Sequence, residues 1–172
     1  MPILPMTPPL SPPDQPPQAA EPIVLQVMER QSSYQVLADS SRIERIDMVK
    51  QGVPARLLVT LADDMHVTRE RLYGWLGLAR ATANRKLKAD DRLSQDESER
   101  ALGIARLVGQ VEALVRESGQ PEGFDAAQWT AAWLQRPNPA LGGRMPGDYM
   151  DTADGRDLVA SLVAQMQSGA YA

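Results

Sequence analysis

The chain has few side chains that could carry out chemistry. Its 172 residues include no cysteine and a single histidine, His66. These counts exclude disulfides, zinc ribbons, iron–sulfur clusters and thiol nucleophiles, and they exclude any metal site built from several histidines. His66 would have to serve as the base of any catalytic triad, whereas a histidine in such a position more often closes a helix end.

A run of regularly spaced aspartates is the other pattern that suggests chemistry. Its members are three residues apart, and they are Asp148, Asp151, Asp154 and Asp157. They extend through a predicted turn and a helix start, where capping and the helix dipole favour aspartate. We therefore expect no catalytic residue, no metal site and no cofactor, and we predict that the chain is not an enzyme.

A dense group of positive charges lies near the middle of the chain. Arg80, Arg85, Lys86 and Lys88 are four bases within nine residues with no acid among them, although the whole chain has a net charge of −4. A local field of this kind can hold a polyanion without the whole chain being basic. The alternative interpretation is a solvated helix face.

This group of bases lies on the second of two short predicted helices. Thr68 is a suitable N-cap for the first helix, which we expect to end at Gly77. The second helix starts near Ala79, and the glycine between them permits the sharp bend of a helix-turn-helix. Arginine, asparagine and lysine reach base edges and phosphates in a major groove. The predicted DNA-binding residues are Arg80, Thr82, Asn84, Arg85, Lys86 and Lys88.

Helix signals also dominate the rest of the chain. Ile43, Ile46 and Val49 recur every third residue, and Ser94 to Glu97 form a capping box before a long helix. Asp125 and Thr152 are placed to cap two later helices. Because no segment alternates every two residues between hairpin turns, the predicted fold class is all-α, a helical bundle with a helix-turn-helix followed by a small helical domain.

The domain organisation follows from composition. Nine of the 14 prolines lie within residues 1–22, which we interpret as a disordered arm, while residues 23–39 fit a strand or a short helix equally well. We therefore predict a proline-rich arm with an uncertain short element over 1–39, a helical DNA-binding or dimerisation domain over 40–118, and a second helical domain over 119–172.

No apolar run approaches the ~20 residues that span a bilayer, and the start lacks the features of a secretory signal, so we expect a cytoplasmic protein without a membrane partner.

Three stretches resemble Xre/MbcA/ParS-type antitoxins. Residues 133–146 resemble the family signature W-L-x-x-P-N-P-A-L-G-G-x-x-P, and residues 92–100 resemble its stretch R-L-S-x-x-E-S-x-R. The last four residues are similar to the family ending G-V-Y-A. The resemblance covers about residues 42 to 172. Two positions depart from the family pattern, because Ala79 replaces the usual serine and Ala83 replaces a larger apolar residue.

The resemblance implies a function in a toxin–antitoxin system. It implies an antitoxin that neutralises a RES-domain toxin, which acts on NAD, by covering the toxin's active-site entrance with the C-terminal helix and tail. It also implies a homodimer that represses its own operon by binding promoter DNA, and a hetero-oligomer with the toxin. The implied toxin-binding residues are Trp133, Pro137, Asn138, Pro139, Leu141, Gly142, Gly143, Gly169, Ala170, Tyr171 and Ala172.

Two alternatives remain open from the residues themselves. The chain would be a stand-alone helix-turn-helix transcriptional regulator if its C-terminal domain served dimerisation or ligand binding instead. In the family the helix-turn-helix can also help to form the dimer, so a polar face there is not proof of contact with DNA. The last residues, likewise, have the alternative of a frayed end, which is common at chain termini.

Overall fold

The computed structural model describes residues 23–30, 33–119 and 121–167, with the side chain of Gln167 excepted. Every regular element in these ranges is a helix, which confirms the all-α prediction. The α-helices are α1 Ile23–Met28, α2 Gln35–Asp39, α3 Arg42–Gln51, α4 Leu57–Asp64, α5 Arg69–Leu76, α6 Arg80–Lys88, α7 Gln95–Glu117, α8 Ala126–Leu134 and α9 Ala153–Gln167. Two 3₁₀ helices, Pro139–Leu141 and Pro146–Tyr149, lie between α8 and α9. None of the described helices is both long and apolar enough to cross a bilayer.

The long helix α7 lies at the centre of the core. It packs against α2, α3, α4, α5, α8 and α9, so the helices before it and after it share one apolar interior. One face of α7 is an apolar stripe that is buried at Ala101, Ile104, Ala105, Val108 and Val111 and partly buried at Val115. An apolar stripe of this length explains why a 23-residue helix is stable among shorter neighbours.

The residues from 23 to 39, for which the sequence left strand and helix open, form α1 and α2 where the structure describes them. Val24, Val27 and Leu37 are buried in the common core. The Tyr34 hydroxyl donates a hydrogen bond to Asp64 Oδ2 over 2.7 Å, which ties this segment to α4. Burial and the hydrogen bond to Asp64 raise the pKa of Tyr34, so the hydroxyl remains a donor. The predicted arm over 1–22 lies outside the described residues.

Local capping sets the helix boundaries as predicted. Thr68 Oγ1 accepts from the Arg71 backbone N–H over 3.1 Å. The capping box at the start of α7 is complete, because Ser94 and Glu97 each accept from the other's backbone N–H. His66 has a φ of 51° just after α4, which confirms the expectation that it closes a helix end.

Candidate functional site

The helix-turn-helix is formed by α5 and α6. Gly77 has a φ of 58°, and this left-handed conformation lets the chain reverse direction between the two helices. Leu72 and Leu76 are fully buried, and Leu78 packs against the core from the turn. The side chain of Ala79 does not cap α6, as its sequence indicated. The predicted motif is therefore present with its apolar side anchored in the core.

The predicted DNA-binding residues differ in how freely they face solvent. Four of them are exposed along α6, namely Arg80, Asn84, Arg85 and Lys88, and Thr82 is half-buried. Exposed bases and amides on one helix are the groups that bind phosphate oxygens. The exposed face of α6 is therefore a candidate nucleic-acid surface.

Two bases of the group are paired with acids from other helices, so the group is free of acids in the sequence but not in space. Arg80 Nη2 lies 3.1 Å from Glu70 Oε1 in an exposed pair, which contributes little to stability and exchanges readily for a phosphate. Lys86 Nζ lies 2.5 Å from Glu97 Oε2, and these side chains are only 13% and 16% exposed. Although burial opposes the shift, hydrogen bonds from Lys86 and Ser94 lower the pKa of Glu97. Lys86 thus joins α6 to the start of α7 rather than facing outwards.

Asn84 has one of its polar atoms already bound. The Tyr73 hydroxyl donates to Asn84 Oδ1 over 3.2 Å, and burial raises the pKa of Tyr73 so that this hydroxyl stays protonated. Bidentate recognition of adenine requires both the oxygen and the nitrogen of an asparagine amide. Because Tyr73 binds the oxygen, Asn84 retains its amide N–H groups, which suit a phosphate or a single base acceptor.

Polar residues in the stretch from 92 to 100 bind the turn of the helix-turn-helix and the segment between α3 and α4. Arg100 Nη1 donates to the carbonyl oxygens of Leu76 and Gly77, both over 3.1 Å, and so caps the turn. Arg92 Nη1 donates to Gly52 O over 2.6 Å. The buried Ser98 Oγ accepts from the Val53 N–H over 3.0 Å. These contacts give Arg92, Ser98 and Arg100 structural roles, which the spacing alone did not indicate.

The second candidate surface is a tight loop between α8 and α9. Asn138 and Arg144 form an isolated antiparallel bridge that closes the loop, and the Asn138 N–H donates to Arg144 O over 3.0 Å. Asn138 Oδ1 accepts from the Ala140 N–H over 2.9 Å, and its carbonyl accepts from Leu141 and Gly143. Asn138 is buried and holds the loop from within.

The two adjacent glycines of this loop are needed for their backbone conformation and not for close approach of another part of the chain. Gly142 and Gly143 have φ values of 63° and 82°, and a Cβ on either would meet no atom within 4 Å. Glycine is therefore required at these two positions because the backbone is in the left-handed conformation. Close approach occurs instead at Gly147, where a Cβ would collide with the Trp75 indole and lie 3.0 Å from Leu134 O. This contact, which the sequence analysis missed, joins the loop to α5.

Three aromatic side chains form a cluster at α8. Trp129 and Trp133 of α8 stack with ring centroids 6.0 Å apart, and the ring centroid of Phe124 lies 6.3 Å from that of Trp129. Trp129 also lines an apolar groove of about 600 Å³ among α7, α8 and α9. Met166 lines the same groove, close to the last described residues.

The predicted toxin-binding residues fall into three groups. Pro137, Pro139, Gly142 and Gly143 are exposed on the loop, and Trp133 is half-buried beside it. Asn138 and Leu141 are buried and support the loop. The tail residues Gly169, Ala170, Tyr171 and Ala172 lie outside the described residues. The aspartates from 148 to 157 form no group that could hold a metal ion, and neither do other residues in the described part of the chain.

Comparisons with known proteins match both surfaces to families. Residues 44–106 match the antitoxin Xre-like helix-turn-helix domain, and residues 122–169 match the antitoxin Xre/MbcA/ParS C-terminal toxin-binding domain. The chain is 44% identical over 140 residues to the "Prs ADP-ribosylating antitoxin" of Sphingobium sp. (strain YBL2), covering 81% of this chain and 88% of that protein. It is 24% identical over 126 residues to "Antitoxin Xre" of Yersinia enterocolitica serotype O:8 / biotype 1B (strain NCTC 13174 / 8081), covering 73% of this chain and 80% of that protein.

Proposed function

The chain belongs to the antitoxins that combine an Xre-like helix-turn-helix with an Xre/MbcA/ParS toxin-binding domain, and from this premise we propose that it neutralises a RES-domain toxin that consumes NAD. It does so in the cytoplasm, by covering the toxin's active-site entrance with α9 and the tail beyond it. It also represses its own operon by binding promoter DNA. The antitoxin carries out no reaction of its own.

The match of residues 122–169 to a toxin-binding domain is the observation that carries this proposal. The name of the Sphingobium relative joins an antitoxin with ADP-ribosylation of Prs. ADP-ribosylation takes its ADP-ribose from NAD, so the name supports a partner that uses NAD. For this chain we infer a toxin of the same chemistry.

The packing of α9 supports a blocking role for the tail. Gln110 Nε2 of α7 donates to Ala160 O over 3.0 Å, and Arg156 Nη2 reaches Glu99 Oε1 over 3.3 Å. Arg156 Nη1 also donates to Met150 O over 3.3 Å, which ties the start of α9 to the preceding loop. A helix fixed at these points gives the residues after Gln167 a defined starting position, from which we propose that Tyr171 enters the toxin's cleft.

The loop supplies the surrounding contact with the toxin. Pro137, Pro139, Gly142 and Gly143 present a rigid exposed surface, because the bridge between Asn138 and Arg144 closes the loop on itself. A surface that is already ordered loses little conformational entropy on binding. Trp133 extends the contact from α8, while Asn138 and Leu141 hold the loop in shape.

The exposed face of α6 is the proposed contact with the operator. The residues proposed to contact DNA are Arg80, Thr82, Asn84, Arg85 and Lys88. Lys86 is not among them because it forms an ion pair with Glu97. A helix-turn-helix protein binds an inverted repeat as a two-fold symmetric dimer. We therefore propose a homodimer on the operator and a hetero-oligomer once the toxin is bound.

Co-expression with the neighbouring reading frame tests the proposal. The full chain is expected to restore growth and the cellular NAD level, and a chain that lacks residues 169–172 is expected to restore neither. A neighbour that is not toxic, together with tight and salt-sensitive binding of specific DNA by the isolated chain, would instead establish the stand-alone regulator. A truncated chain that protects fully would show that the tail does not block the toxin.

A further inference from the structure

The first helix of the helix-turn-helix holds one side chain of the second. Tyr73 of α5 is only 2% exposed, and its hydroxyl donates to Asn84 Oδ1 of α6 over 3.2 Å. This hydroxyl forms no other hydrogen bond with the part of the chain that the structure describes. The buried ring of Tyr73 therefore carries a single polar group, and that group binds the Asn84 amide.

The same bond decides which way round the Asn84 amide lies. An asparagine amide has an oxygen that accepts and a nitrogen that donates, and rotation by about 180° exchanges the two. In the reversed orientation the nitrogen would face the Tyr73 hydroxyl, so the hydroxyl proton would have no acceptor among the described residues. A buried donor without an acceptor costs free energy, which favours the orientation with the oxygen towards Tyr73.

The nitrogen of Asn84 consequently faces away from Tyr73. Asn84 is exposed, and no residue in the described ranges accepts a hydrogen bond from its Nδ2. Arg80, Asn84 and Lys88 are spaced four apart and so share one face of α6, while Ala83 of the same helix is buried in the core. The group that Asn84 presents to a partner on this face is therefore an N–H donor.

A side chain that can only donate distinguishes the base pairs of a major groove. Guanine presents two acceptors there, N7 and O6, whereas adenine presents one acceptor and one donor. An asparagine that is free to rotate pairs with adenine through its oxygen and its nitrogen together. With its oxygen bound by Tyr73, the amide of Asn84 matches the acceptors of guanine and leaves the donor of adenine unpaired.

We propose that Tyr73 is a positioning residue for sequence recognition, which fixes Asn84 as a donor and makes α6 select guanine at the base pair that Asn84 contacts. Because Tyr73 is buried, it acts through Asn84 and not by contact with DNA. The exposed ion pair of Arg80 with Glu70 exchanges readily for a phosphate, whereas the Tyr73 hydroxyl loses its acceptor if the amide turns. This inference rests on the DNA contact in the proposed function and names the base that the contact selects.

Selection of binding sites from a library of random DNA duplexes tests the proposal. The full natural chain is expected to prefer guanine over adenine by about tenfold or more at one position of the selected site. Asn84→Ala identifies that position, because the preference is lost there and kept elsewhere. Tyr73→Phe keeps the buried ring and removes the hydroxyl, so it is expected to lower the guanine-to-adenine ratio at that position by about tenfold. Tyr149→Phe removes a hydroxyl that accepts from Arg144, outside α5 and α6, and is the matched control with an unchanged ratio.

Contact of Asn84 with the phosphate backbone would give a different result, because a phosphate oxygen is also an acceptor but carries no sequence information. A loss of affinity in Asn84→Ala that is equal for every base pair would therefore overturn the guanine selection. A natural chain that prefers adenine at the position of Asn84 would overturn it as well. So would a Tyr73→Phe variant that keeps the ratio of the natural chain.

Nuclear magnetic resonance of the full chain without DNA measures the orientation of the amide separately. The side-chain carbonyl carbon of Asn84 reports a hydrogen bond to its oxygen, so its signal is expected to shift in Tyr73→Phe and to stay in place in Tyr149→Phe. An Asn84 signal that does not shift, in a chain that selects a DNA sequence, would overturn this inference alone. A natural chain that selects no sequence would remove operator binding from the proposed function and the guanine selection with it, whatever the carbon signal shows.

Discussion

At the scale of single residues, some basic side chains of α6 form ion pairs within the protein and others do not. Lys86 is held by Glu97 in a half-buried pair that joins two helices. Arg85 and Lys88 are exposed on the same helix and form no ion pair with another described residue. Their adjacency in the sequence conceals this difference, because the acid that binds Lys86 lies eleven positions further along the chain.

This difference predicts that substitution of Lys86 reduces stability, whereas substitution of Lys88 reduces DNA binding. Lys86→Met is expected to reduce the free energy of unfolding by about 1–3 kcal/mol, since it leaves the half-buried carboxylate of Glu97 without its cation. Lys88→Met is expected to change that free energy by less than about 0.5 kcal/mol but to weaken promoter binding and reduce the salt slope by about one. Urea unfolding and DNA titrations at several salt concentrations measure both. Equal loss of DNA affinity in the two variants, with equal stability, would contradict the assignment.

Glu97 also predicts how stability depends on pH. Because its pKa is lowered in the folded chain, the carboxylate contributes stability above its ordinary pKa of about 4.3, and this contribution is lost as the pH falls through the lowered folded value. Glu97→Gln keeps the capping geometry but cannot titrate. The variant is expected to be less stable at pH 7 and to lose less stability than the natural chain on acidification to pH 3. An equal loss of the free energy of unfolding in the two proteins between pH 7 and pH 3 would exclude the effect.

At the scale of elements, local signals account for most of the helices. The caps at Thr68, Ser94 and Asp125 and the glycine turn at Gly77 depend on neighbours within a few residues, so the sequence alone predicted them. The short helices α1 and α2 depend on Asp64 and on the surface of α7, which are distant in the sequence. The close contact at Gly147 is of the same kind, since Trp75 lies in another helix. Hydrophobic pattern and helix propensity carry no information about contacts between segments that are distant in the sequence.

The packing of α2 on α7 depends on the absence of a side chain at Gly109. A Cβ there would collide with the Tyr34 carbonyl and lie 2.9 Å from the Gln35 nitrogen. Gly109→Ala is therefore expected to destabilise the fold by about 1–3 kcal/mol, whereas Gly74→Ala in α5, where a Cβ meets nothing within 4 Å, is expected to stabilise it by about 0.5–1 kcal/mol. Thermal unfolding of the two alanine variants measures the contrast. Equal shifts in the same direction would show that α2 does not pack as described.

At the scale of the whole molecule, the two candidate surfaces are parts of one packed structure. Helix α7 contacts α5 on one side and α8 and α9 on another, and Trp75 of α5 meets Gly147 of the loop. The fold class and family were predictable, because the signature from 133 to 146 is long and specific. The division of that signature into exposed contact residues and buried supports was not, since Asn138 and Pro139 are adjacent yet one is buried and the other exposed.

Binding of NAD to the toxin, measured in its purified complex with this chain, tests the central claim most directly. The complex with the full chain is expected to bind no NAD, and the complex with a chain that ends at Gln167 is expected to bind NAD as the free toxin does. DNA binding by the truncated chain serves as the control for its folding and is expected to be unchanged. A complex of the full chain that binds NAD with the affinity of the free toxin would contradict the claim that α9 and the tail cover the active-site entrance.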